Sequence, residues 1–564
     1  MILHASLGTI SSVLAPLATS IGANFTSATA SPPLVSLSGI GSYSGIQVNQ
    51  TLSGHALPRP VDAWLGVDYA IQPVGENRFR PIQGVPAPFP GVHDAGKYGP
   101  ACTQDPAYVD LDKQDEACLN FNVYRPAGVP LTQKLPTLVW IHGGGFVLYS
   151  ALTMDGASFV ASSREPVMVV TFNYRLNSFG FLPSKLFERQ GLLNLGLQDQ
   201  TFFLEFLQTH LSEFGGDPKQ ITLGGLSAGA HSTAFQYFHN YGVSKGNPLF
   251  ARAFMQSGAA TARAFPPVDY PRYKSDFESL MSHIGCATDA GDKEQLSCLR
   301  KTPAREIEKI TSAIYAEAEP NLNWPWQPAL GGALLEHSGS QSLTEGTFHH
   351  LPLVTSHTTD EGKLYTPGYL QTNDDFIEFW HRMSPGLNRT DLAILNDLYP
   401  DPVAHPESAW AKSPNSTQYN RLSASWSDMA YICPSRQTAR RTSGADVPTW
   451  RLRFNTPANP LSAQSWKGIP HASDMSYLWN DPSVPFKETA RRYHAYMASF
   501  VATGDPNKLR EDDAVAWPMY KADANEVPTQ VVVNPESVDV EKDDMRVRQC
   551  EFWNDIDRAH RLNK

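Results

Sequence analysis

Short apolar runs rich in β-branched residues alternate along the chain with stretches of helical period. The runs that predict buried strands are LPTLVWI (135–141), PVMVVTFNY (166–174), QITLGG (220–225), LPLVTSH (351–357) and TWRLRFN (449–455). Residues 197–214 have the helical period, with Phe203, Leu207 and Leu211 on one face, and SAGAHSTAFQYF (227–238) predicts another helix. This alternation predicts an α/β fold with a large, mostly parallel central sheet flanked by helices.

The N-terminal region differs in composition from the rest of the chain. Residues 1–23 contain no Lys or Arg and many small and apolar residues, so we interpret them as a possible signal peptide, although the usual basic start is missing. Residues 24–57 are expected to form a leader and edge strands, and residues 58–564 a single domain. Elsewhere no apolar run approaches the length of a membrane span, so none is predicted.

Composition narrows the class of protein. Hydrophobic residues make up 41% and charged residues 18%, which is typical of a globular chain with a substantial core. The net charge of −11 is spread without long runs of one sign, which argues against a nucleic-acid partner or a basic membrane-binding face. The sequence leaves the oligomeric state open.

Six cysteines are widely spread and form no pattern with zinc-ligand spacing, so no metal site is predicted. Their even number favours three disulfides and therefore an oxidising compartment. Four N-x-[ST] sequons point the same way and predict a secreted glycoprotein; they begin at Asn24, Asn49, Asn388 and Asn415.

The first candidate for chemistry is Gly225-Leu226-Ser227-Ala228-Gly229, a G-x-S-x-G between a predicted strand and a predicted helix. A sharp turn there would lift the hydroxyl of Ser227 above the sheet edge as a nucleophile. Alone, the pattern is weak, because chance gives about 0.2 matches in a chain of this length at average Gly and Ser frequencies. A plain turn with a capping serine is an equal alternative.

Support comes from His142-Gly143-Gly144-Gly145-Phe146, directly after the strand LPTLVWI. Consecutive glycines weaken regular structure, so they indicate close approach of the backbone to a ligand. Acyl transfer develops negative charge on a carbonyl oxygen, which the backbone N–H groups of Gly144, Gly145 and Ala228 could stabilise. A flexible loop is the alternative, and the downstream serine motif disfavours it.

With these motifs in place, residues 62–555 resemble the type-B carboxylesterases, which include cholinesterases and some fungal lipases. The matching segments are WLGVDYA (64–70), DEACLNFNVYRP (115–126), VWIHGGGF (139–146), NYRLNSFGFL (173–182), NLGLQDQ (194–200), FGGDPKQITLGGLSAGA (214–230), FMQSG (254–258), DEG (360–362) and RQCEFW (548–553). The resemblance implies the α/β-hydrolase fold and a serine esterase that needs no cofactor.

The resemblance also assigns partners to Ser227. It implies Glu361 as the acid and His471 as the base, an order that fits the class. On the residues alone, Asp360 is nearly indistinguishable from Glu361, and His471 is one of 17 histidines. Further pairings are implied by the resemblance: the disulfides Cys102–Cys118, Cys286–Cys298 and Cys433–Cys550, and the buried ion pairs Arg78–Glu116 and Arg175–Asp199.

Three departures from the family bear on the substrate. Leu226 stands where the commonest form of the family's serine motif, G-E-S-A-G, has a glutamate, and the loop 103–117 contains no tryptophan. Cholinesterases use that glutamate and a tryptophan of this loop to hold the choline cation, so both partners are missing here. The same loop is short for the long hydrophobic lid of the family's lipases. We therefore expect a serine ester hydrolase acting on neutral small to medium esters through an acyl-enzyme. The alternatives are an acyltransferase or cyclase using the same intermediate, or a catalytically silent cholinesterase-like binding module.

Overall fold

The computed structural model describes residues 33–239, 248–458, 464–522 and 526–564. The possible signal peptide and Asn24 lie outside the described residues. The strands are β1 Leu34–Leu37, β2 Gly41–Ser44, β3 Ile46–Gln50, β4 Ala56–Asp68, β5 Val92–Asp94, β6 Ala101–Cys102, β7 Gln114–Asp115, β8 Asn120–Pro126, β9 Leu135–Ile141, β10 Met168–Phe172, β11 Gly216–Leu226, β12 Arg252–Gln256, β13 Leu353–Thr358, β14 Thr449–Phe454, β15 Thr529–Val533 and β16 Val538–Lys542.

Helices connect and cover these strands. They are α1 Gly156–Ser162, α2 Asn177–Gly180, α3 Lys185–Arg189, α4 Leu195–His210, α5 Ala228–Phe238, α6 Pro271–His283, α7 Asp292–Lys301, α8 Ala304–Ala318, α9 Gly339–Glu345, α10 Asn373–Met383, α11 Arg389–Leu398, α12 Tyr419–Ser427, α13 Cys433–Gly444, α14 Met475–Leu478, α15 Lys487–Thr503, α16 Val547–Trp553 and α17 Ile556–Arg561. A π-helix, Asp428–Ile432, joins α12 to α13. Short 3₁₀ turns include Leu211–Phe214 and Glu361–Leu364.

The central sheet has 11 strands in the order β16-β15-β14-β13-β12-β11-β9-β10-β8-β4-β3. From β10 across to β15 every neighbouring pair is parallel, while β8, β4 and β3 on one side and β16 on the other are antiparallel. The α/β-hydrolase prediction is confirmed. Its parallel centre brings the carboxyl ends of the middle strands to one edge, where connecting loops can form a site.

The sheet is buried on both faces because side chains alternate along each strand. In β9, Val139 and Ile141 enter one hydrophobic cluster and Leu138 and Trp140 the opposite one. The ring of Trp140 packs edge-on against Trp479 at a centroid distance of 4.9 Å. This two-sided burial explains why the central strands read as continuous apolar runs rather than alternating ones.

Three disulfides hold the loops to this sheet: Cys102–Cys118, Cys286–Cys298 and Cys433–Cys550. They are the pairings that the resemblance implies. Both implied ion pairs are also formed. Arg78 donates to Glu116 at 2.7 Å, and the fully enclosed Arg175 donates to Asp199 at 2.6 Å.

Candidate active site

Ser227 occupies the sharp turn between β11 and α5. Its backbone has φ 59° and ψ −123°, a strained conformation for a residue with a side chain. The flanking glycines are required by space: a Cβ at Gly225 would lie 2.4 Å from the backbone of Gly229, and one at Gly229 would lie 2.0 Å from the carbonyl oxygen of Ile141. The elbow is therefore built by close packing of helix and strand, and it presents the serine at the sheet edge.

The glycine loop that follows β9 lies against this turn. A Cβ at Gly143 would lie 3.1 Å from the Cβ of Ser227. Gly144 has φ +99°, and a Cβ there would meet the carbonyl oxygen of Leu148 at 2.1 Å, so only glycine fits. Within the described ranges, the backbone N–H groups of Gly144, Gly145 and Ala228 donate no hydrogen bond to the protein. The glycine loop and the turn of Ser227 thus contain three backbone donors without an acceptor among the described residues.

Glu361 and His471 are joined directly. Nδ1 of His471 lies 2.5 Å from Oε2 of Glu361, and both side chains are almost completely buried. Glu361 follows β13, and His471 comes from the loop after β14, so both extend from the same sheet edge as Ser227. In the described part of the chain, Nε2 of His471 has no hydrogen-bond partner.

The structure distinguishes the role of Glu361 from that of its neighbour Asp360, a distinction that the sequence alone does not allow. Asp360 Oδ2 accepts the backbone N–H of Ile469 at 3.0 Å, and its other oxygen faces Nζ of Lys363 at 3.1 Å. Asp360 therefore fastens the loop that carries His471, while Glu361 contacts the imidazole itself.

Tyr431 connects Ser227 with the His471 side of the site. Its phenol interacts with the hydroxyls of Ser227 and Tyr365, and its ring lies 4.5 Å from the imidazole of His471 between centroids. Tyr431 belongs to the π-helix Asp428–Ile432. Burial raises its pKa to about 12, so the phenol is a neutral hydroxyl at physiological pH.

Ser257, directly after β12, adds a second support to Glu361. Its hydroxyl donates to Oε1 at 2.6 Å, and the backbone N–H of Thr358 donates to the same oxygen at 2.7 Å. Every oxygen of the Glu361 carboxylate therefore has a donor, which fixes its orientation toward the imidazole.

Three buried titratable groups surround these residues. Burial lowers the pKa of His142 to about 4 and that of His231 well below its usual value, so both are neutral at physiological pH. Burial and the nearby Glu361 carboxylate raise the pKa of Asp474 to about 7. Of these three imidazoles, His471 is the one that is hydrogen-bonded to a carboxylate.

Several neighbours of the site were not predicted from the sequence. Ser257 follows a buried strand in FMQSG, and that position at a parallel strand end was a usable signal. Tyr431 lies in an irregular helical turn, and nothing in the sequence marks that turn. Gln327, whose amide donates to the carbonyl oxygen of Gly145 at 2.9 Å, comes from the polar helical region 260–345 with no distinguishing pattern.

Comparison with known proteins decides the family. Residues 31–553 match the family model described as "Carboxylesterase family". The chain belongs to the carboxylesterase family. This carboxylesterase is 50% identical over 532 residues to secreted lipase 4 of Gibberella zeae, covering 94% of this chain and 95% of that protein. It is a carboxylic ester hydrolase.

More distant relatives show how widely the fold is used. Acetylcholinesterase of Bungarus fasciatus is 29% identical, covering 91% of this chain and 85% of its own. The inactive carboxylesterase-like protein VdtD of Byssochlamys spectabilis is also 29% identical, covering 82% of this chain and 80% of its own. The crystal structure of Aspergillus niger EstA superposes with a TM-score of 0.82 at 25% identity, covering 95% of this carboxylesterase and 99% of EstA.

No described helix is long and apolar enough to cross a membrane. Within the same ranges, no group of three or more His, Cys, Asp or Glu side chains is placed to hold a metal ion.

Proposed function

We propose that this carboxylesterase hydrolyses neutral small to medium esters through an acyl-enzyme on Ser227. The observation that carries the proposal is the hydrogen bond of His471 Nδ1 to Glu361. It fixes the imidazole tautomer and leaves Nε2 as the proton acceptor. The ring of Tyr431 lies beside this imidazole, and its hydroxyl interacts with Ser227.

In this mechanism the Ser227 oxygen attacks the ester carbonyl while His471 takes its proton, and Glu361 stabilises the imidazolium that forms. The tetrahedral oxyanion is held by the N–H groups of Gly144, Gly145 and Ala228. His471 then protonates the leaving alcohol. Water, activated by the same imidazole, attacks the acyl-enzyme and releases the acid.

The substrate preference rests on the elbow and on the loop 103–117. Leu226 is buried beside Ser227 and supplies no carboxylate for a cation. The loop is closed by Cys102–Cys118 and fastened to the region after the glycine loop, because Gln104 exchanges hydrogen bonds of 2.6 and 2.8 Å with the backbone of Tyr149. A loop held in this way is a poor candidate for a mobile interfacial lid.

Covalent labelling tests the nucleophile. An alkyl phosphonate should label wild type but not Ser227→Ala, and ester hydrolysis by that variant should fall by several orders of magnitude, with roughly 10³–10⁴-fold catalysis over water remaining from the oxyanion donors. Ser257→Ala is the matched control, since it removes a second buried serine hydroxyl in the same region. Labelling that persists in Ser227→Ala and disappears in Ser257→Ala would overturn the assignment.

Labelling of wild type, combined with identification of the products, also distinguishes hydrolysis from the two alternative functions. A silent binding module, as the inactive relative's name suggests, would resist labelling in wild type. An acyltransferase or cyclase would be labelled but would pass the acyl group to an alcohol faster than to water. We expect labelling together with release of free acid.

The 50% identity to a protein named secreted lipase favours a second candidate, hydrolysis of lipid esters. Emulsified long-chain triglyceride and soluble tributyrin distinguish the two functions. The fastened loop predicts that tributyrin is the far better substrate. Equal rates on the two would favour the lipase.

We also propose that the protein is secreted. Three disulfides and the secreted relative support an oxidising destination. Among the described sequons, Asn388 and Asn415 are exposed and Asn49 is half-buried. Glycosylation at these sites stays a prediction, which the mobility shift after deglycosylation of the secreted protein would test.

A further inference from the structure

Arg263 is a buried cation with few partners among the described residues. It follows the carboxyl end of β12, and it is only 7% exposed. Of its five N–H donors, one makes a hydrogen bond to a described residue, from Nη2 to Oε1 of Gln327 at 2.8 Å, and Nε is buried without a partner. The guanidinium also lies over the ring of Trp324 at 4.6 Å.

Several other buried arginines of the described residues have more or stronger partners. Arg175 pairs with Asp199, and Arg436 pairs with Asp543. Arg421 lacks a carboxylate but donates four hydrogen bonds, to Tyr399, Asn373, Gln418 and Asn396. No carboxylate of the described residues forms an ion pair with Arg263. Arg125 is similarly poor in partners among these residues, with one hydrogen bond to Pro130 and a buried Nε that has none. It lies beside Gly215, before β11, at the opposite end of that strand from Ser227, so position distinguishes Arg263.

Its position places this cation at the candidate active site. Gln327, its hydrogen-bond partner among the described residues, donates in turn to the carbonyl oxygen of Gly145 in the glycine loop. The charge of Arg263 also acts on Tyr431 and Tyr365, the two phenols that flank His471. Trp324 packs against Tyr365 at 5.5 Å, so one aromatic wall runs from the cation to the imidazole.

Burying a charge without a counter-ion is costly, and a site that does so gains when a ligand supplies the missing charge. Arginine suits a carboxylate in particular, because its planar fork donates two parallel hydrogen bonds. In the competing explanation Arg263 has a purely structural role and only positions Gln327. The test therefore has to distinguish this role from binding of a carboxylate.

We propose that Arg263 binds a carboxylate carried by the ester substrate, so that acidic half-esters are preferred over neutral esters of the same size. The inference rests on the proposed ester hydrolysis and extends its substrate class beyond neutral esters. The carboxylate can belong to the acid half or to the alcohol half of the ester, and the two sources require separate arms of the test.

Two pairs of esters, each an acidic ester and a neutral analogue of the same size, test the two positions of the carboxylate. Monoethyl glutarate is compared with the ethyl ester in which a methyl ketone replaces the carboxylate. Butyryloxyacetate is compared with acetonyl butyrate, in which the same replacement is made on the alcohol side. We expect wild type to prefer the anionic member of at least one pair by roughly 10- to 100-fold in kcat/KM, the range for a hydrogen bond to a charged group.

Variants then assign the preference. Arg263→Gln should abolish it while retaining hydrolysis of the neutral member, and Arg263→Lys should restore part of it. Arg558→Gln is the matched control, because Arg558 also lies over an aromatic ring, at 3.9 Å from Phe552, but is paired with Asp391. Its anionic-to-neutral ratio should equal that of wild type. Equal losses on both members in Arg263→Gln would show a structural role and overturn the proposal, as would the absence of a preference in wild type.

Binding to an inactive variant separates this inference from the catalytic one. In Ser227→Ala, calorimetry should detect tighter binding of the preferred acidic ester than of its ketone analogue. The double variant Ser227→Ala, Arg263→Gln should lose the difference. Failure of wild type to hydrolyse any ester, with this binding difference intact, would contradict the proposed hydrolysis and leave the carboxylate site standing. Equal binding of acid and ketone would reject the site.

Discussion

The hydroxyl of Ser257 lies 2.6 Å from Oε1 of Glu361, on the carboxylate oxygen opposite to the one that faces His471. The two contacts hold the carboxylate from both sides. Ser257 thus belongs to the support of the acid rather than to the nucleophilic elbow, although both serines follow neighbouring parallel strands.

Ser257→Ala should therefore lower kcat about tenfold and leave phosphonate labelling at Ser227 intact. One hydrogen bond to a charged group is worth roughly 1.5–3 kcal/mol, and Thr358 would still hold the same oxygen. Steady-state kinetics with parallel mass spectrometry of the labelled peptide measure both effects. A variant with unchanged kcat would show that the Thr358 contact suffices.

Choline esters should be no better than their uncharged carbon analogues. Leu226 offers no carboxylate, and the buried guanidinium of Arg263 repels a second cation in the same region. The comparison uses butyrylcholine and the butyrate ester whose nitrogen is replaced by carbon. A higher kcat/KM for the choline ester would refute this account of the elbow.

Asp474 should make the folded state less stable as the pH rises. Its pKa lies near 7 in the folded protein against an ordinary value of 3.8, so the folded state binds more protons between these values. The contribution is fully present below pH about 4 and is lost as the pH rises through about 7. Asp474→Asn, which mimics the protonated form, should flatten the dependence of Tm on pH in this window. Parallel wild-type and variant curves would contradict it.

The three disulfides should differ in their effect on stability. Cys433–Cys550 closes a sequence separation of 117 residues and Cys286–Cys298 only 12. Chain entropy predicts a cost of about 4.7 kcal/mol for opening a loop near 100 residues and about 3 kcal/mol for one near 15. Paired Cys→Ser variants, unfolded in urea, test the order. A larger loss for the shorter loop would point to strain or to residual structure in the unfolded chain.

The sequence predicts the strands better than the surroundings of the site. The runs at 135–141, 351–357 and 449–455 correspond to strands because apolar, β-branched residues favour doubly buried sheet, whatever contacts follow. The role of the glycines beside Ser227 could also be predicted from the sequence, because close contact with neighbouring backbone excludes any side chain there. Arg263 and Tyr431 could not be predicted, because their roles depend on where segments distant in sequence meet, and no periodic pattern of the sequence marks such a meeting.

The π-helix that carries Tyr431 has a consequence for how the pocket could diversify. A π turn holds one residue more than the α-helical turn it replaces, and α12 and α13 continue on either side of it. Deleting one residue between Asp428 and Ile432 would let a single α-helix run through. Because each α-helical residue turns the chain by about 100°, the side chain reaching Ser227 would be exchanged for a neighbour. A single-codon indel could thus remodel this wall in one step while the sheet and the elbow stay in place.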